Sequence, residues 1–441
     1  MASYFLDPFG CAKNQVDAET MMALLAAAGW SAAGTPDEAD LIIVNSCGFI
    51  ESAKRESINA VLSWRRSYPE KKILLAGCLA QRYAGELARI MPEADAFFGN
   101  TGLGGIAAAA SALFPGIPRG EEPLPAPGGR PLLSLPGSAY VKISEGCDNR
   151  CSFCSIPLIR GPLRSRSIPD IGGECRSLLG RGVREFNIIG QDIASFGRDR
   201  PGEGDLPALL EALAALPGEF WVRLLYLHPD HFPPAILDII EGDSRFLPYF
   251  DIPFQHASGP LLRAMKRRGD GESYLDLVGK IRSRLPDAVI RSTFLTGFPG
   301  ETEDDFQRLL DFQERAAMDW MGCFTFSREE DTPAYAMKKR VPKRVAAERK
   351  RILEERQEKI SGERMERYLG RELEILIEEK FESPGEDPPP GLYLGRAYCQ
   401  APEVDGAVLV SCEETLGPGT LVRCRVTGRA GVDLEARVVK S

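Results

Sequence analysis

This chain of 441 residues has no long apolar run, no signal-like N-terminus and few histidines, and each of these features excludes a class of protein or site. The longest apolar run, residues 106–114, is much shorter than the roughly 20 residues that cross a bilayer. The N-terminus, MASYFLDPFGC, lacks the basic start and leucine-rich core of a secretory signal. There are only three histidines, and Pro229 in LHPDH prevents a helical metal-binding pair. We therefore expect a cytoplasmic protein with no membrane contact.

The chain also lacks an excess of positive charge, since its formal net charge is -9. The chain as a whole is therefore not attracted to nucleic acid, and any RNA contact has to be local. Residues 366–441 carry nine Lys or Arg and fourteen Asp or Glu, a difference of -5. This charge favours a basic protein as substrate over tRNA, although Arg423, Arg425 and Arg429 leave a local basic face open. Residues 338–351, with eight Lys or Arg against Glu348, are predicted to form a solvated helix face.

The pattern of apolar runs predicts an α/β protein with three domains. Residues 1–114 alternate apolar strands with amphipathic helices, which indicates a parallel sheet covered by helices. Residues 115–137 contain seven prolines and five glycines and are predicted to be a linker. Residues 138–365 contain six further strand–helix units, which predict a full or partial (β/α)6 barrel. The short β-like runs of residues 366–441 predict a small antiparallel β-barrel.

Three cysteines lie within eight residues in SEGCDNRCSFCSI, where Cys147, Cys151 and Cys154 form a C-x3-C-x2-C pattern. The next cysteine, Cys175, falls in a predicted helix, so a closed zinc site with four ligands is disfavoured. Iron–sulfur clusters usually also take four thiolates, so three leave one iron open. The amine and carboxylate of S-adenosylmethionine (SAM) are suitable ligands for that iron. The loop therefore predicts a SAM-cleaving cluster, with Phe153 as an apolar wall; coincidental spacing of core cysteines is the alternative.

A second set of cysteines, Cys11, Cys47 and Cys78, is far apart in sequence, yet each follows its own predicted strand. Strand ends of an open α/β sheet face one crevice, so the three thiolates could share a second cluster. Each could equally be a buried packing residue, and the pattern leaves both possibilities open. The other five cysteines are predicted to pack in the core: Cys175, Cys323, Cys399, Cys412 and Cys424.

Three polar residues close later strands of the predicted barrel. Gln191 and Asp192 end IIGQD and are candidates to contact SAM, although such residues also cap turns. His256, in PFQHAS, falls on the same face and is a candidate substrate or cofactor contact.

The cysteine loop and the barrel together resemble the radical SAM superfamily. GCAKNQVDAE, NSCGFIESAKRESI and GCLAQRY resemble the N-terminal domain of methylthiotransferases, and the tail resembles a TRAM domain. CGFIESAKRESI, ISEGCDNRCSFCSIPLIRGPLRSRSI and YFDIPFQHAS most resemble the ribosomal protein branch. Ala12 and Gln15 depart from that branch, where Pro and Leu are expected, but neither can be a cluster ligand.

The resemblance implies two 4Fe-4S clusters with separate roles. The cluster at Cys147, Cys151 and Cys154 would cleave SAM to a radical that abstracts hydrogen from an unactivated C–H bond. The cluster at Cys11, Cys47 and Cys78 would deliver sulfur, and a second SAM would supply the methyl group. The implied target is an aspartate of small-subunit ribosomal protein twelve, free or in the subunit.

Reduction of the first cluster would need a flavodoxin- or ferredoxin-like electron donor. A tRNA adenosine methylthiotransferase is the first alternative, although tRNA is disfavoured by the charge of the tail. A non-enzymatic iron–sulfur or zinc protein that binds RNA is the second.

Overall fold

The computed structural model describes residues 2–115, 128–381 and 391–439. Two units are distinguished by their internal contacts: Met1–Leu133, Ser144–Ser177 and Ser327–Tyr335 form the first, and Ser134–Ile143, Leu178–Phe326 and Ala336–Ser441 form the second. Residues 116–127 of the predicted linker lie outside the described residues, and residues 128–137 contain neither helix nor strand. Among the described residues, no helix has the length and apolar character needed to span a membrane.

The first unit is built on a five-stranded parallel sheet with the order β2-β1-β3-β4-β5. Its strands are β1 (Ser3–Pro8), β2 (Ser31–Ala32), β3 (Leu41–Ser46), β4 (Lys72–Gly77) and β5 (Ala96–Phe98). The central strand β3 is buried along its whole length, as expected for a parallel strand covered on both faces. The predicted N-terminal parallel α/β fold is confirmed.

Helices cover both faces of this sheet. They are α1 (Ala12–Ala27), α2 (Glu51–Ser67), α3 (Cys78–Ile90) and α4 (Ile106–Ser111). Because successive strand residues point to opposite faces, Ile43 packs in the core with Leu24 of α1, whereas Ile42 packs in the other core with Val61 of α2 and Leu87 of α3. The strand ends are therefore held between two packed layers.

The next strand, β6 (Ser138–Lys142), belongs to the second unit, and the chain then re-enters the first. There the two-residue strands β7 (Ser144–Glu145) and β8 (Arg164–Ser165) pair antiparallel and enclose the cysteine loop. Helices α5 (Ile156–Arg160) and α6 (Ile168–Gly180) complete this segment.

The second unit contains an open six-stranded parallel sheet with the order β13-β12-β11-β10-β9-β6. Its later strands are β9 (Glu185–Ile189), β10 (Trp221–Leu224), β11 (Phe246–Asp251), β12 (Val289–Thr296) and β13 (Trp320–Thr325). The helices of this unit are α7 (Leu206–Ala214), α8 (Ile236–Gly242), α9 (Gly259–Ala264), α10 (Gly271–Arg284), α11 (Glu303–Ala316) and α12 (Lys343–Glu366). Neighbours along the chain are neighbours in the sheet, and its two edges do not pair, so the predicted partial (β/α)6 barrel is confirmed.

The C-terminal strands form a closed five-stranded barrel with the order β14-β15-β16-β18-β17. They are β14 (Glu372–Lys380), β15 (Leu392–Ala397), β16 (Val408–Ser411), β17 (Leu421–Ala430) and β18 (Asp433–Val438). The predicted small antiparallel barrel is confirmed by four of its five strand pairs, whereas β16 and β18 pair parallel. A ring with an odd number of strands cannot alternate direction at every pair, so closure requires a parallel one.

Candidate cysteine sites

Three neighbouring strands of the first sheet end next to the second cysteine set. Cys47 directly follows β3 and Cys78 directly follows β4, and the last residues of these strands, Ser46 and Gly77, are register partners. Cys11 follows β1, which pairs with the other edge of β3. The structure therefore brings Cys11, Cys47 and Cys78 to one edge of one sheet.

The loops that carry these cysteines approach each other closely. A Cβ atom added at Gly10 would lie 3.3 Å from the Cβ of Cys47, and one added at Gly48 would lie 2.7 Å from the carbonyl oxygen of Cys78. Glycine is thus required at residue 48 by the nearby backbone and not by a special dihedral angle.

The side chain of Asn14 joins the three strand ends. Its Nδ2 donates hydrogen bonds to the carbonyl oxygens of Phe9 (3.2 Å) and Ser46 (2.9 Å), which fixes the amide orientation. Its Oδ1 then lies 3.2 Å from the Sγ of Cys78. Asn14 is 1% exposed, so these bonds form in a dry environment where they hold the loops firmly.

A buried guanidinium, that of Arg160, enters the same site from the end of α5. Its Nη2 donates to the Sγ of Cys78 (3.2 Å) and to the Oδ1 of Asn14 (2.6 Å). It also forms ion pairs with Asp17 (2.9 Å) and with Glu145 of β7 (2.8 Å). Glu145 lies two residues before Cys147. The side chain of Arg160 therefore contacts a cysteine of the second set and a residue next to the first set, all within the first unit.

The charges around the second set affect its three thiols differently. Desolvation raises the pKa of the Cys11 thiol, but the charges of Lys13 and Arg160 and hydrogen bonds from the backbone N–H groups of Asn14 and Lys13 outweigh it, so the pKa is lowered. Burial, and the neighbouring Cys78 and Cys11, raise the pKa of Cys47 to about 12. Burial also raises the pKa of Cys78, although Arg160 opposes the rise. The site therefore favours ionisation of Cys11 over that of Cys47 and Cys78, whose thiolates a bound cation would stabilise.

These residues fit an iron–sulfur cluster better than a single ion. Within residues 2–115, 128–381 and 391–439, no group of three or more His, Cys, Asp or Glu is spaced to hold one metal ion. The thiolates of a multi-iron cluster are separated by the cluster core, so that spacing is not required for it. Sulfur ligands with hydrogen-bond donors directed at them, here Arg160 and Asn100 (Nδ2 to Cys78 Sγ, 3.2 Å), are suited to such a cluster.

The first cysteine set lies on the loop between β7 and α5, and the backbone of the loop is folded on itself. The N–H of Cys147 donates to the carbonyl of Gly161 (3.1 Å), and that of Cys154 to the carbonyl of Cys151 (3.1 Å). The N–H of Ile156 points at the Sγ of Cys154 (3.5 Å). All three cysteines and Phe153 are half-buried, so the loop keeps its sulfurs at a partly exposed surface.

A later segment of the chain supports this loop within the first unit. The N–H of Ala334 donates to the carbonyl of Ser152 (2.8 Å). Glu329 of the same segment is 2% exposed and pairs with Lys54 of α2 (2.7 Å) and Arg82 of α3 (2.8 Å). The segment therefore links the loop to the helices that follow Cys47 and Cys78.

The other predicted site residues lie in the second unit. Asp192 is buried and accepts hydrogen bonds from the N–H of Ala194 (3.0 Å) and the hydroxyl of Ser195 (2.7 Å), so it caps the turn after β9. Gln191 is half-buried beside it. His256 is fully buried, with its Nδ1 accepting from the N–H of Ser258 (3.0 Å). All six cysteines of the two predicted sets belong to the first unit, not to this one.

Arg160 and Asn14 are functional candidates that the sequence did not indicate. Their partners are separated from them by up to 146 residues, so no local pattern marks them. The only available signal is that Asn14 lies three residues after Cys11.

Three family models match successive parts of the chain. "Uncharacterized protein family UPF0004" matches residues 3–99, the "Radical SAM superfamily" matches residues 141–312, and the "TRAM domain" matches residues 369–439. The superfamily match implies an iron–sulfur cluster and SAM as cofactors.

The fold of the chain is shared with solved radical SAM structures. The methyltransferase TsrM from Kitasatospora setae, solved with cobalamin and a [4Fe-4S] cluster, superposes with a TM-score of 0.54 at 16% identity, over 76% of this chain and 77% of that one. The cobalamin-dependent enzyme OxsB superposes with a TM-score of 0.50 at 13% identity, over 76% and 54%. At these identities the likeness shows the fold alone.

Curated relatives match over nearly the whole of both chains. Proteins named "Ribosomal protein uS12 methylthiotransferase RimO" are 45% identical in Treponema denticola, over 98% of this chain and all of the relative, and 41% identical in Aquifex aeolicus, over 97% and 95%. The relative of the same name in Heliobacterium modesticaldum is also 41% identical, over 98% and 94%. This chain belongs to the ribosomal protein uS12 methylthiotransferase family, whose members are radical SAM enzymes.

Proposed function

We propose that this enzyme inserts a methylthio group at an unactivated carbon of an aspartate in ribosomal protein uS12, and that it uses two 4Fe-4S clusters. The names of the curated relatives support the substrate. The observation that carries the two-cluster proposal is the meeting of Cys11, Cys47 and Cys78 at adjacent strand ends, beside a buried guanidinium.

The two cysteine sets are given separate roles in this proposal. Cys147, Cys151 and Cys154 hold the cluster that binds SAM, and Cys11, Cys47 and Cys78 hold the second. When bound, the clusters and SAM supply an electron for SAM cleavage, a sulfur atom and a methyl group. Contact with SAM is assigned to three residues: Phe153, Gln191 and Asp192.

The protein residues around the second set position it and set its charge. Arg160 and Asn100 donate hydrogen bonds to the Sγ of Cys78, and these bonds favour the thiolate over the thiol. Asn14 fixes the separation of the strand ends. Together these contacts prepare the site for an anionic ligand set before iron binds.

The charge of the tail supports a basic protein as the substrate. Residues 366–441 have a net charge of -5, which attracts a ribosomal protein and repels tRNA phosphate. We infer a cytoplasmic enzyme that receives electrons from a flavodoxin- or ferredoxin-like donor. We also place domain boundaries at 1–114, 115–137, 138–365 and 366–441, and the three family matches fall inside three of these ranges.

Mass spectrometry of the products tests this function. The reconstituted enzyme, supplied with SAM and a reductant, is expected to add a methylthio group to uS12 and not to a tRNA adenosine. Cys78→Ala and Cys151→Ala are both expected to abolish the addition. Cys175→Ala is the matched control, since Cys175 is a buried residue of α6 and is expected to retain activity.

Two results would contradict the proposal. Methylthiolation of tRNA without methylthiolation of uS12 would establish the tRNA alternative. Full methylthiolation by Cys78→Ala would show that the second cysteine set has no role in sulfur insertion.

A further inference from the structure

A group of five exposed cations, called here the basic patch, lies on the approach to α12 and in its first turn. Its members are Lys338, Lys339, Arg340, Lys343 and Arg344. In the part of the chain that the structure describes, none of these side chains has an ion pair or a hydrogen bond. They form a local concentration of positive charge on a chain whose net charge is -9.

The cations that follow along α12 are paired. Arg349 contacts Glu303 (3.0 Å), Lys350 pairs with Glu354, and Arg351 pairs with acidic neighbours on its own helix. An ordinary solvated helix face has such i,i+3 and i,i+4 partners. In the described part of the chain the basic patch has no such partner, so its cations are exposed and unpaired, whereas Arg349 further along α12 is buried and paired.

The stability of α12 does not explain the basic patch. Lys343 and Arg344 occupy the first turn of this 24-residue helix, which contains no acidic residue. The helix dipole is positive at that end, so cations there are repelled. An anion bound near this end of α12 would offset that repulsion.

The backbone fixes the basic patch beside the C-terminal end of β12, all within the second unit. The N–H of Gly300 donates to the carbonyl of Lys339 (2.9 Å), and the hydroxyl of Thr296 donates to the carbonyl of Ala346 (3.0 Å). Lys339 itself has a φ of 58°, an unusual value for a residue other than glycine. In (β/α) barrels the chemistry takes place at the C-terminal ends of the strands, so the patch lies on the rim of the working face.

We propose that the basic patch binds the phosphate backbone of RNA that adjoins the protein substrate, so that the enzyme acts on uS12 within the small ribosomal subunit. This inference rests on the proposed function. A basic ribosomal protein would be repelled by the patch, so the patch faces a different, anionic partner. In the subunit, the polyanion next to a ribosomal protein is ribosomal RNA.

Binding of the holoenzyme to isolated small subunits, measured over a range of salt concentrations, tests the proposal. The test variant is K338Q/K339Q/R340Q/K343Q/R344Q. The control variant removes five exposed or half-exposed arginines that have acidic partners: R55Q/R200Q/R284Q/R315Q/R351Q. Both variants lose five positive charges. A difference in their affinity for the subunit therefore depends on where the charges lie and not on the total charge.

The test variant is expected to lose at least tenfold in affinity for the subunit at low salt. The slope of log affinity against log salt should become less steep by up to about 3.5, because each phosphate contact to single-stranded nucleic acid contributes about 0.7. The control variant should keep the affinity and slope of the unmodified enzyme.

Three results would overturn the proposal. One is an equal loss in both variants, and another is salt-independent binding of the unmodified enzyme to the subunit. The third is an equal loss of affinity for free uS12, which would identify a protein partner. Methylthiolation of free uS12 by the unmodified enzyme is scored separately, so failure of the proposed function is distinguishable from failure of the RNA contact.

Discussion

Arg160 contacts both of the cysteine-bearing regions of the first unit with one side chain that is 2% exposed. It donates to Cys78, and it pairs with Glu145 close to Cys147. At the scale of the residue, Arg160 is therefore a positioning residue for the second set of cysteines.

Replacement of Arg160 by methionine should destabilise the protein and impair iron loading at the second site. Removing one partner of a buried ion pair costs about 3–5 kcal/mol, and the hydrogen bond to Cys78 is lost as well. Chemical denaturation of the apoprotein and iron analysis of the reconstituted protein measure the two effects. Arg284→Met, at an exposed pair, is the control and should cost less than about 1 kcal/mol.

An Arg160→Met protein with the stability and iron content of the unmodified protein would contradict this role. Arg160→Lys retains the positive charge but not the forked geometry of the guanidinium. Its stability and iron content should therefore lie between those of Arg160→Met and those of the unmodified protein.

The cysteines could be predicted from sequence, whereas Arg160 could not. Cys147, Cys151 and Cys154 are recognisable because their spacing is local. Cys11, Cys47 and Cys78 are recognisable because each follows an apolar run that reads as a strand. Arg160 acts through side-chain contacts across the fold, and such contacts leave no periodic trace in the sequence.

At the scale of the element, the loops after β3 and β4 are packed so closely that one methyl group should separate them. Gly48→Ala would place a Cβ 2.7 Å from the carbonyl oxygen of Cys78 and 2.9 Å from the backbone nitrogen of Leu79. Backbone atoms cannot rotate away, so Cys47 and Cys78 should move apart. We expect loss of iron at the second site and a lower melting temperature.

Gly85→Ala provides the matched control for this substitution. Gly85 lies within α3, where an added Cβ has no neighbour within 4 Å. Alanine is favoured over glycine in a helix by roughly 0.5–1 kcal/mol, so this variant should be slightly more stable and keep its iron. Normal iron content in Gly48→Ala would show that the two loops are not held rigidly.

The elements themselves were largely predictable, because both parallel sheets are built from apolar runs separated by amphipathic helices. The parallel pair β16–β18 of the small barrel was not, since pairing between strands depends on closure of the whole ring. The ion pairs of Glu329 with Lys54 and Arg82 could not be predicted either, because these partners are more than 200 residues away from it in the sequence.

At the scale of the whole molecule, the two cysteine sets predict two independent losses of iron. C11A/C47A/C78A and C147A/C151A/C154A should each remove about four irons from the reconstituted protein, since each set is assigned one 4Fe-4S cluster. Only C147A/C151A/C154A should lose the spectroscopic change that SAM causes in a reduced cluster. Iron analysis and electron paramagnetic resonance measure these outcomes, and a loss of all iron in either variant would indicate a single shared centre.

The different placement of the two cysteine sets has a consequence for biogenesis. Cys147, Cys151 and Cys154 lie within eight residues, so we expect an incompletely folded chain to bind iron there already. Cys11, Cys47 and Cys78 become neighbours only after β1, β3 and β4 are in register, because that pairing closes long chain loops. We therefore expect maturation in the cell to load iron at Cys147, Cys151 and Cys154 first, and iron at the second set would then report that the sheet is correctly assembled.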